Sequence, residues 1–370
     1  MPKLTPLADS LPAAVPFVGP EAQERTRGAP FAARLGANES PFGPSPKAIA
    51  AMRNAAGEAW MYGDPDVHDL RRALALHHGV PPETIVVGEG IDGLLGYLVR
   101  LLIGPGDAVV TSAGAYPTFS YHVTGYGGAL HVVPYKGDHE DPDALAAMAR
   151  EVGAKLVYLA NPDNPMGSHH PARRIAALLE ALHPETLLCL DEAYADLAPP
   201  EAVPPLDPAD PRLIRMRTFS KAHGLAGLRV GYAVGAPDLI RAFDKVRNHF
   251  GLGRVAQAGA LAALADTGWL AQVKAQVAQS RDRIAAIARE AGLKPLPSAT
   301  NFVAVDCGRD GPHARAVLAA LLAQGIFVRM PGIAPLDRCI RISCGTAADM
   351  DALAAALPRA LAEVISSSET

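Results

Sequence analysis

Residues 154–162, AKLVYLANP, and residues 186–193, TLLCLDEA, decide the fold. Each is a short run that stays apolar step after step and then stops on polar residues, Asn161 in the first and Asp191 in the second. A strand with one wet face alternates apolar and polar positions; a strand covered on both faces does not. The two runs therefore predict a parallel sheet with helices on each side. Working outward, TIVVG (84–88), DAVVTS (107–112) and LHVVPY (130–135) read as further strands. A helix from Asp92 to Leu102 follows the first of them, and DPDALAAMAREVG (141–153) reads as a helix opened by an aspartate cap. In open sheets of this kind ligands gather beyond the carboxyl ends of the strands. Asn161, Asn164 and Asp191 fall there.

Beyond about residue 260 the pattern changes. A long amphipathic helix over about 267–291 precedes NFVAVDC (301–307), a helix ARAVLAALLAQG (314–325), and strands IFVRM (326–330) and CIRISCG (339–345). These predict a separate, smaller α+β domain. The first 35 residues or so are proline-rich and aperiodic, and read as an arm or cover.

Composition sets the outer limits. A chain of 370 residues, 49% of them hydrophobic, can fill a large core. Its formal net charge is -4, without a basic stripe, which argues against nucleic acid or an anionic membrane as partner. There is no apolar run of bilayer length. Residues 1–21 lack the apolar core of a signal peptide, so a cytoplasmic protein is expected. Cys189, Cys307, Cys339 and Cys344 have no CxxC spacing and read as buried, reduced thiols. The pairs His77–His78 and His169–His170 lack an HExxH context, so no metal site is expected.

TFSKAHGLAGLR (218–229) carries the chemistry. Most lysines are solvated surface groups. Lys221 instead stands among small and apolar residues, with Thr218, Ser220 and Arg229 as anion-binding types around it. Gly224 and Gly227 allow close backbone approach. A lysine in such company suits a Schiff-base nucleophile beside a phosphorylated aldehyde. Cationic surroundings would lower its pKa and make it a general base. Asp191, at the end of a buried strand, needs a cationic partner. A protonated pyridine nitrogen is one, and Tyr194 could then donate to the ring's phenolate oxygen. The blander reading is a capping aspartate beside a packed tyrosine. NPDNPMG (161–167) is a turn whose two prolines fix the backbone and present Asn164 as an amide donor.

VVGEGIDGLLGYL (86–98) supplies a glycine turn from strand into helix, where free backbone N–H groups suit a phosphate. Gly88, Gly90 and Gly93 also spell GxGxxG, the seed of a dinucleotide-binding reading. That fingerprint wants an acid at the end of the next strand. The next strand ends in Thr111–Ser112, and Asp107 lies at its start.

Taken together, these motifs resemble the fold-type I pyridoxal-phosphate enzymes, class I/II aminotransferases, and more narrowly the histidinol-phosphate aminotransferase family. LGANESPFGPSP (35–46), YGDPDVHDLRRALA (62–75), NPDNPMG, DEAY, TFSKAHGLAGLRVGY, NFV (301–303) and IRISCGT (340–346) occur in that family's order. The resemblance implies an aspartate-aminotransferase-like α/β fold. An arm over 1–40 would pack with the small domain, with a large cofactor domain over 41–260 and a small domain over 261–370. It implies pyridoxal 5'-phosphate as cofactor, carried by Lys221, with Asp191 on the ring nitrogen and Asn164 and Tyr194 on the ring oxygen. Phe119 is implied as the stacking aromatic, with Tyr116 as the other choice. Thr218, Ser220, Arg229 and the backbone of Gly90, Ile91 and Asp92 would hold the phosphate. Tyr62 would reach the phosphate of a neighbouring subunit in a homodimer with shared sites. Arg341 would clamp the substrate's carboxylate through its planar fork; Asn38 and Arg329 are further substrate-side candidates. The implied reaction moves an amino group from an amino acid or histidinol phosphate to a 2-oxo acid such as 2-oxoglutarate.

Three positions depart from that pattern. Glu89 and Ile91 occupy places where small or polar residues are usual, and Met166 replaces a threonine. The stretch from Phe17 to Glu21 has no arginine or lysine for a substrate phosphate, which leaves Arg329 for that part. The alternatives are a paralogue acting on another, possibly aromatic, amino acid, a related decarboxylase or oxidase using the same cofactor, and a non-catalytic binding protein on the same fold.

Overall fold

A computed structural model describes residues 2–13 and 18–368; Phe17, named above, lies outside the described residues. Twelve strands run through them: β1 Ala33–Arg34, β2 Ile85–Gly88, β3 Ala108–Ser112, β4 Ala129–Val133, β5 Leu156–Ala160, β6 Leu187–Asp191, β7 Leu213–Thr218, β8 Gly231–Gly235, β9 Lys294–Pro295, β10 Phe302–Asp306, β11 Ile326–Phe327 and β12 Cys339–Ser343.

Seven of them form one sheet in the order β2-β8-β7-β6-β5-β3-β4. The pairings from β7 through to β4 are parallel, while β8 pairs antiparallel with both β7 and β2. Only β8 runs backwards, so the carboxyl ends of the other six strands share one edge. The apolar runs gave no sign of that reversal.

The sheet is covered on both faces, and this is why its strands do not alternate. On β5, Leu156, Tyr158 and Ala160 pack with Leu94, Leu95, Leu98 and Val99 of the helix Gly90–Leu102. Val157 and Leu159 turn the other way, onto Leu145 and Ala149 of Pro142–Val152 and Ile175 and Leu178 of Ala172–Ala181. Asp141 caps the first of these helices by accepting from the amides of Asp143 and Ala144. Such a cap contributes about 1 kcal/mol.

The last third builds a second core. β12, β10 and β9 form an antiparallel sheet, and β1 pairs in parallel with β11. The helices Thr267–Glu290, Gly311–Ala323 and Ala347–Ser368 contribute Val277, Ile284, Val317, Leu353 and Leu357 to this core, where they meet Ala33 and Leu35 from near the other end of the chain. The IFVRM run is strand only at Ile326–Phe327; Arg329 makes a single bridge to Arg341. The proline-rich first segment holds two short helices, Pro6–Ser10 and Pro20–Arg27. Each begins on a proline, which is tolerated at a first helical position because its missing N–H has no partner there anyway. All four cysteines are buried and free.

Candidate active site

A cavity of about 860 Å³ opens at the shared carboxyl edge, between the large sheet and the β10–β12 segment. Lys221, Asp191, Asn164, Tyr194, Thr218, Ser220, Arg229, Ile91, Asp92, Asn38, Arg329 and Arg341 all line it. Sequence positions as far apart as Asn38 and Arg341 thus converge on one space.

Asp191 closes β6. Its Oδ2 accepts from the Tyr158 hydroxyl at 2.6 Å and its Oδ1 from the Ala193 amide at 2.9 Å. Burial pushes its carboxyl up to about 6, against the pull of those two donors. A carboxylate so placed favours a cation brought into the cavity.

Lys221 lies just past β7. Its Nζ donates to the Asn38 carbonyl at 3.1 Å and stands 5.7 Å from the centre of the Tyr194 ring. Loss of hydration, first, and then the positive charge of Arg341 lower its pKa to about 8; Arg229 adds a smaller push, and Asp92 opposes it. The lowering therefore comes from burial before neighbouring cations, whereas the sequence pointed to cationic surroundings alone.

One end of the cavity is built for an anion. The Ser220 hydroxyl accepts from Thr218 Oγ1 at 2.9 Å and from Arg229 Nη1 at 3.3 Å. Arg229 Nη2 donates to Asp92 Oδ2 at 3.2 Å, and the Tyr116 hydroxyl donates to Asp92 Oδ1 at 3.0 Å. Gly90 has φ +76°, and a Cβ there would lie 2.5 Å from Arg229 Nη2. A Cβ on Gly231 would lie 2.7 Å from the Gly90 carbonyl carbon. Two glycines are needed for the turn, the guanidinium and the helix start to sit this close.

The opposite side carries two more guanidiniums. Arg341 Nη1 donates to Asn164 Oδ1 at 2.5 Å and Nη2 to the Gly36 carbonyl at 3.1 Å, while its buried Nε has no hydrogen-bond partner among the described residues. Asn38 donates through Nδ2 to the Tyr194 hydroxyl at 3.0 Å and accepts from Ser343 Oγ at 2.8 Å. Arg329 donates to the Val18 carbonyl at 2.7 Å. Burial raises the Tyr194 hydroxyl to about 12, so it stays protonated.

Phe119 is not on the cavity. It is fully buried and stacks on Tyr158 with ring centres 4.5 Å apart. On the helix Pro117–Gly125 its side chain turns into the core, while Tyr116, at the N-cap, lines the cavity instead. Tyr62 is 77% exposed and packs on Phe250, with ring centres 4.8 Å apart. Met166, in the threonine's place, is buried against Leu296, Ala304, Leu336 and Cys339. Asp107 pairs with Lys155 at 2.7 Å, which accounts for it apart from any ribose. Tyr158 is the site residue missed from sequence. Its hydroxyl is the one side-chain polar group in LVYLA, and a buried hydroxyl needs a partner.

The donor set fits the phosphorylated pyridine aldehyde that the resemblance implies. A lysine amine of lowered pKa, a buried acid for a ring nitrogen and an anion cup relieved of two Cβ atoms lie in one cavity.

Comparison with known proteins agrees. The profile of the family described as aminotransferase class I and II matches residues 33–357. A histidinol-phosphate aminotransferase of Anaeromyxobacter sp. (strain Fw109-5) is 36% identical over 98% of this chain and 100% of its own length. The crystal structure of a histidinol-phosphate aminotransferase from Sinorhizobium meliloti, in complex with pyridoxal-5'-phosphate, superposes with a TM-score of 0.96 at 56% identity, covering 98% of this chain and 99% of that one. A Thermus thermophilus aspartate aminotransferase mutant shares the fold, with a TM-score of 0.83 at 24% identity over 98% of this chain and 100% of that one.

Proposed function

The chain belongs to the class I and II aminotransferases and is a pyridoxal-phosphate-dependent enzyme; from that premise we propose that its amino donor is histidinol phosphate and its acceptor a 2-oxo acid such as 2-oxoglutarate. The observation that carries the donor is the pair Arg329 and Arg341, bridged backbone to backbone and lining the cavity that holds Lys221. Histidinol phosphate has a phosphate-esterified hydroxymethyl group where an amino acid has its carboxylate. Two guanidiniums on that side suit a phosphate dianion better than one.

The roles follow residue by residue. Thr218, Ser220, Arg229 and the amides of Gly90, Ile91 and Asp92 would hold the cofactor's phosphate. Asp191, oriented by Tyr158, would keep the ring nitrogen protonated. Asn164 and Tyr194 would donate to the ring oxygen, and Tyr116 would flank the ring. When bound, the cofactor supplies an electron sink for the bond at the donor's Cα. Lys221, neutral for part of the time near pH 8, would take the Cα proton and deliver it two atoms along, to the carbon on the other side of the nitrogen. Arg341 and Arg329 would fix the donor's anionic group, with Asn38 bracing Tyr194.

Tyr62 and Phe250, both exposed, are read as part of a surface that meets a second copy, so that Tyr62 reaches the phosphate end of that copy's site. The arm, large domain and small domain divided at residues 40 and 260 belong to the same reading, as does a cytoplasmic location. Among the described residues no helix is long and apolar enough to cross a membrane. A donor with an apolar or aromatic side chain is the second reading, favoured by Val132, Met330 and Ile333 on the cavity wall.

The test is an anaerobic spectral titration of the loaded enzyme with histidinol phosphate and a panel of amino acids. Conversion of the cofactor band at the lowest concentration by histidinol phosphate supports the reading. Conversion by another donor, with histidinol phosphate inert, replaces it. Lys221→Ala should abolish turnover with the fold intact.

A further inference from the structure

Asp163 precedes Asn164 on the 161–167 turn and is 2% exposed. Its carboxylate accepts from the Tyr135 hydroxyl at 2.9 Å and from the Met166 amide at 3.0 Å. The next residue, Asn164, takes the hydrogen bond from Arg341 at 2.5 Å. A buried carboxylate therefore stands one residue behind the contact that holds Arg341, and no transamination step uses it.

The titratable and charged groups that face Asp163 are Tyr135, Glu140, Asp191, Tyr194 and Arg341. Arg341 is the one cation among them. Glu140 is also 2% exposed and accepts from the Ala160 amide at 2.9 Å.

We propose that Asp163 is a positioning residue whose charge answers to Arg341, so that an anion bound at Arg341 is taken up together with a proton on Asp163. The inference rests on the reading of Arg341 as the clamp for the donor's anionic group. Burial pushes the Glu140 carboxyl well above the usual carboxylate value. Burial also raises Asp163, to about 7, while the Met166 amide, Tyr135 and Arg341 pull it down. Asp163, raised to about 7, changes charge near neutrality. An anion on Arg341 cancels the field that favours ionised Asp163, and a proton enters from solvent. By reciprocity, a protonated Asp163 leaves Arg341 freer to hold the anion.

The probe is inorganic sulfate, a dianion throughout the range, added to the loaded enzyme. Its Kd is read from the change in the cofactor's absorption between pH 6 and 9. In the wild type, affinity should fall with rising pH by about tenfold more than in Asp163→Asn, the factor for a shift of one pKa unit. Titration of the cofactor-linked lysine is common to both proteins and cancels in the comparison. Tyr135→Phe removes a hydrogen bond to the ionised carboxyl, so the fall should move to higher pH. That variant decides the matter if Asp163→Asn does not fold. Equal pH dependence in wild type and Asp163→Asn, or an unmoved fall in Tyr135→Phe, overturns the proposal. Arg341→Met separates the two readings. If it binds sulfate as the wild type does, or if sulfate leaves the wild type unchanged, the clamp reading falls and the proposal with it. If it loses sulfate while Asp163→Asn keeps the wild-type pH dependence, only the proposal falls.

Discussion

The Tyr158 hydroxyl lies 2.6 Å from Asp191 Oδ2, and both residues are buried. Even with this donor, burial lifts the Asp191 carboxyl to about 6. A carboxyl raised in the folded state favours folding below its unfolded pKa, and that advantage is lost as pH rises through the folded value. Without cofactor, the protein should therefore lose about 3 kcal/mol from this group between roughly pH 4 and 6. Cofactor-free Asp191→Asn should melt higher than cofactor-free wild type at pH 8 and at the same temperature near pH 4. Its loaded form should turn over about a hundredfold more slowly or worse. Scanning calorimetry of the two cofactor-free proteins checks the first part; a wild type as stable as the variant at pH 8 contradicts it.

Lys221 should behave as an amine of pKa about 8 in the cofactor-free protein. Labelling rate against pH with a neutral amine reagent, followed by peptide mapping, reads this directly. Arg341 is the largest charge acting on it after burial. Arg341→Met should therefore move the midpoint upward. A midpoint above 10 in the wild type would falsify the assigned burial of the amine.

Glu192 is 2% exposed and takes hydrogen bonds from Arg215 at 2.5 and 3.0 Å and from Arg217 at 2.9 Å. Burial acts to raise its carboxyl, but Arg217 and Arg215 outweigh that and hold it below the usual carboxylate value. Its stabilising effect is present above the unfolded pKa, near 4, and fades as pH falls below it. Glu192→Ala should cost roughly 3–5 kcal/mol at pH 7, because two guanidiniums lose their partner. In urea melts the gap between the proteins should narrow toward pH 3.

Gly90→Ala combines a positive φ with a clash against Arg229. The guanidinium must give way, and it is proposed to hold the cofactor's phosphate. Cofactor affinity should fall about tenfold or more, since a lost charge-assisted hydrogen bond is worth roughly 1.5–3 kcal/mol. Equilibrium dialysis measures this. Unchanged affinity would place the phosphate elsewhere.

The sheet and most cavity residues were legible because burial on two faces writes itself into LVYLA and LLCLD as unbroken apolar runs. The strand ends then located Asn164 and Asp191, while Lys221 was read from the small and anion-binding residues around it in TFSKAHGLAGLR. Phe119 was not legible. Tyr116 and Phe119 are three residues apart, where the chain enters a helix whose facing is set by tertiary packing, and either could have met the cavity. The reversal of β8 was equally silent, since GYAVG is as apolar as the parallel strands LVYLA and LLCLD. Asp163 stood in a quoted motif, but only the fold brings Tyr135 and Glu140 to it.

The contact between Asn38 and Ser343 at the end of β12 has a consequence for synthesis. Asn38, which holds Tyr194 and Lys221 by its side chain and carbonyl, is itself anchored by Ser343, 305 residues later. At about 5–20 residues per second, a ribosome needs roughly 15–60 s to cover that span. In the later part of that interval, once Arg229 has been made, the nascent chain has Lys221, Asp191 and the Gly90 turn but not the strand that locks Asn38 in place. The pocket is completed only after Ser343 has been made.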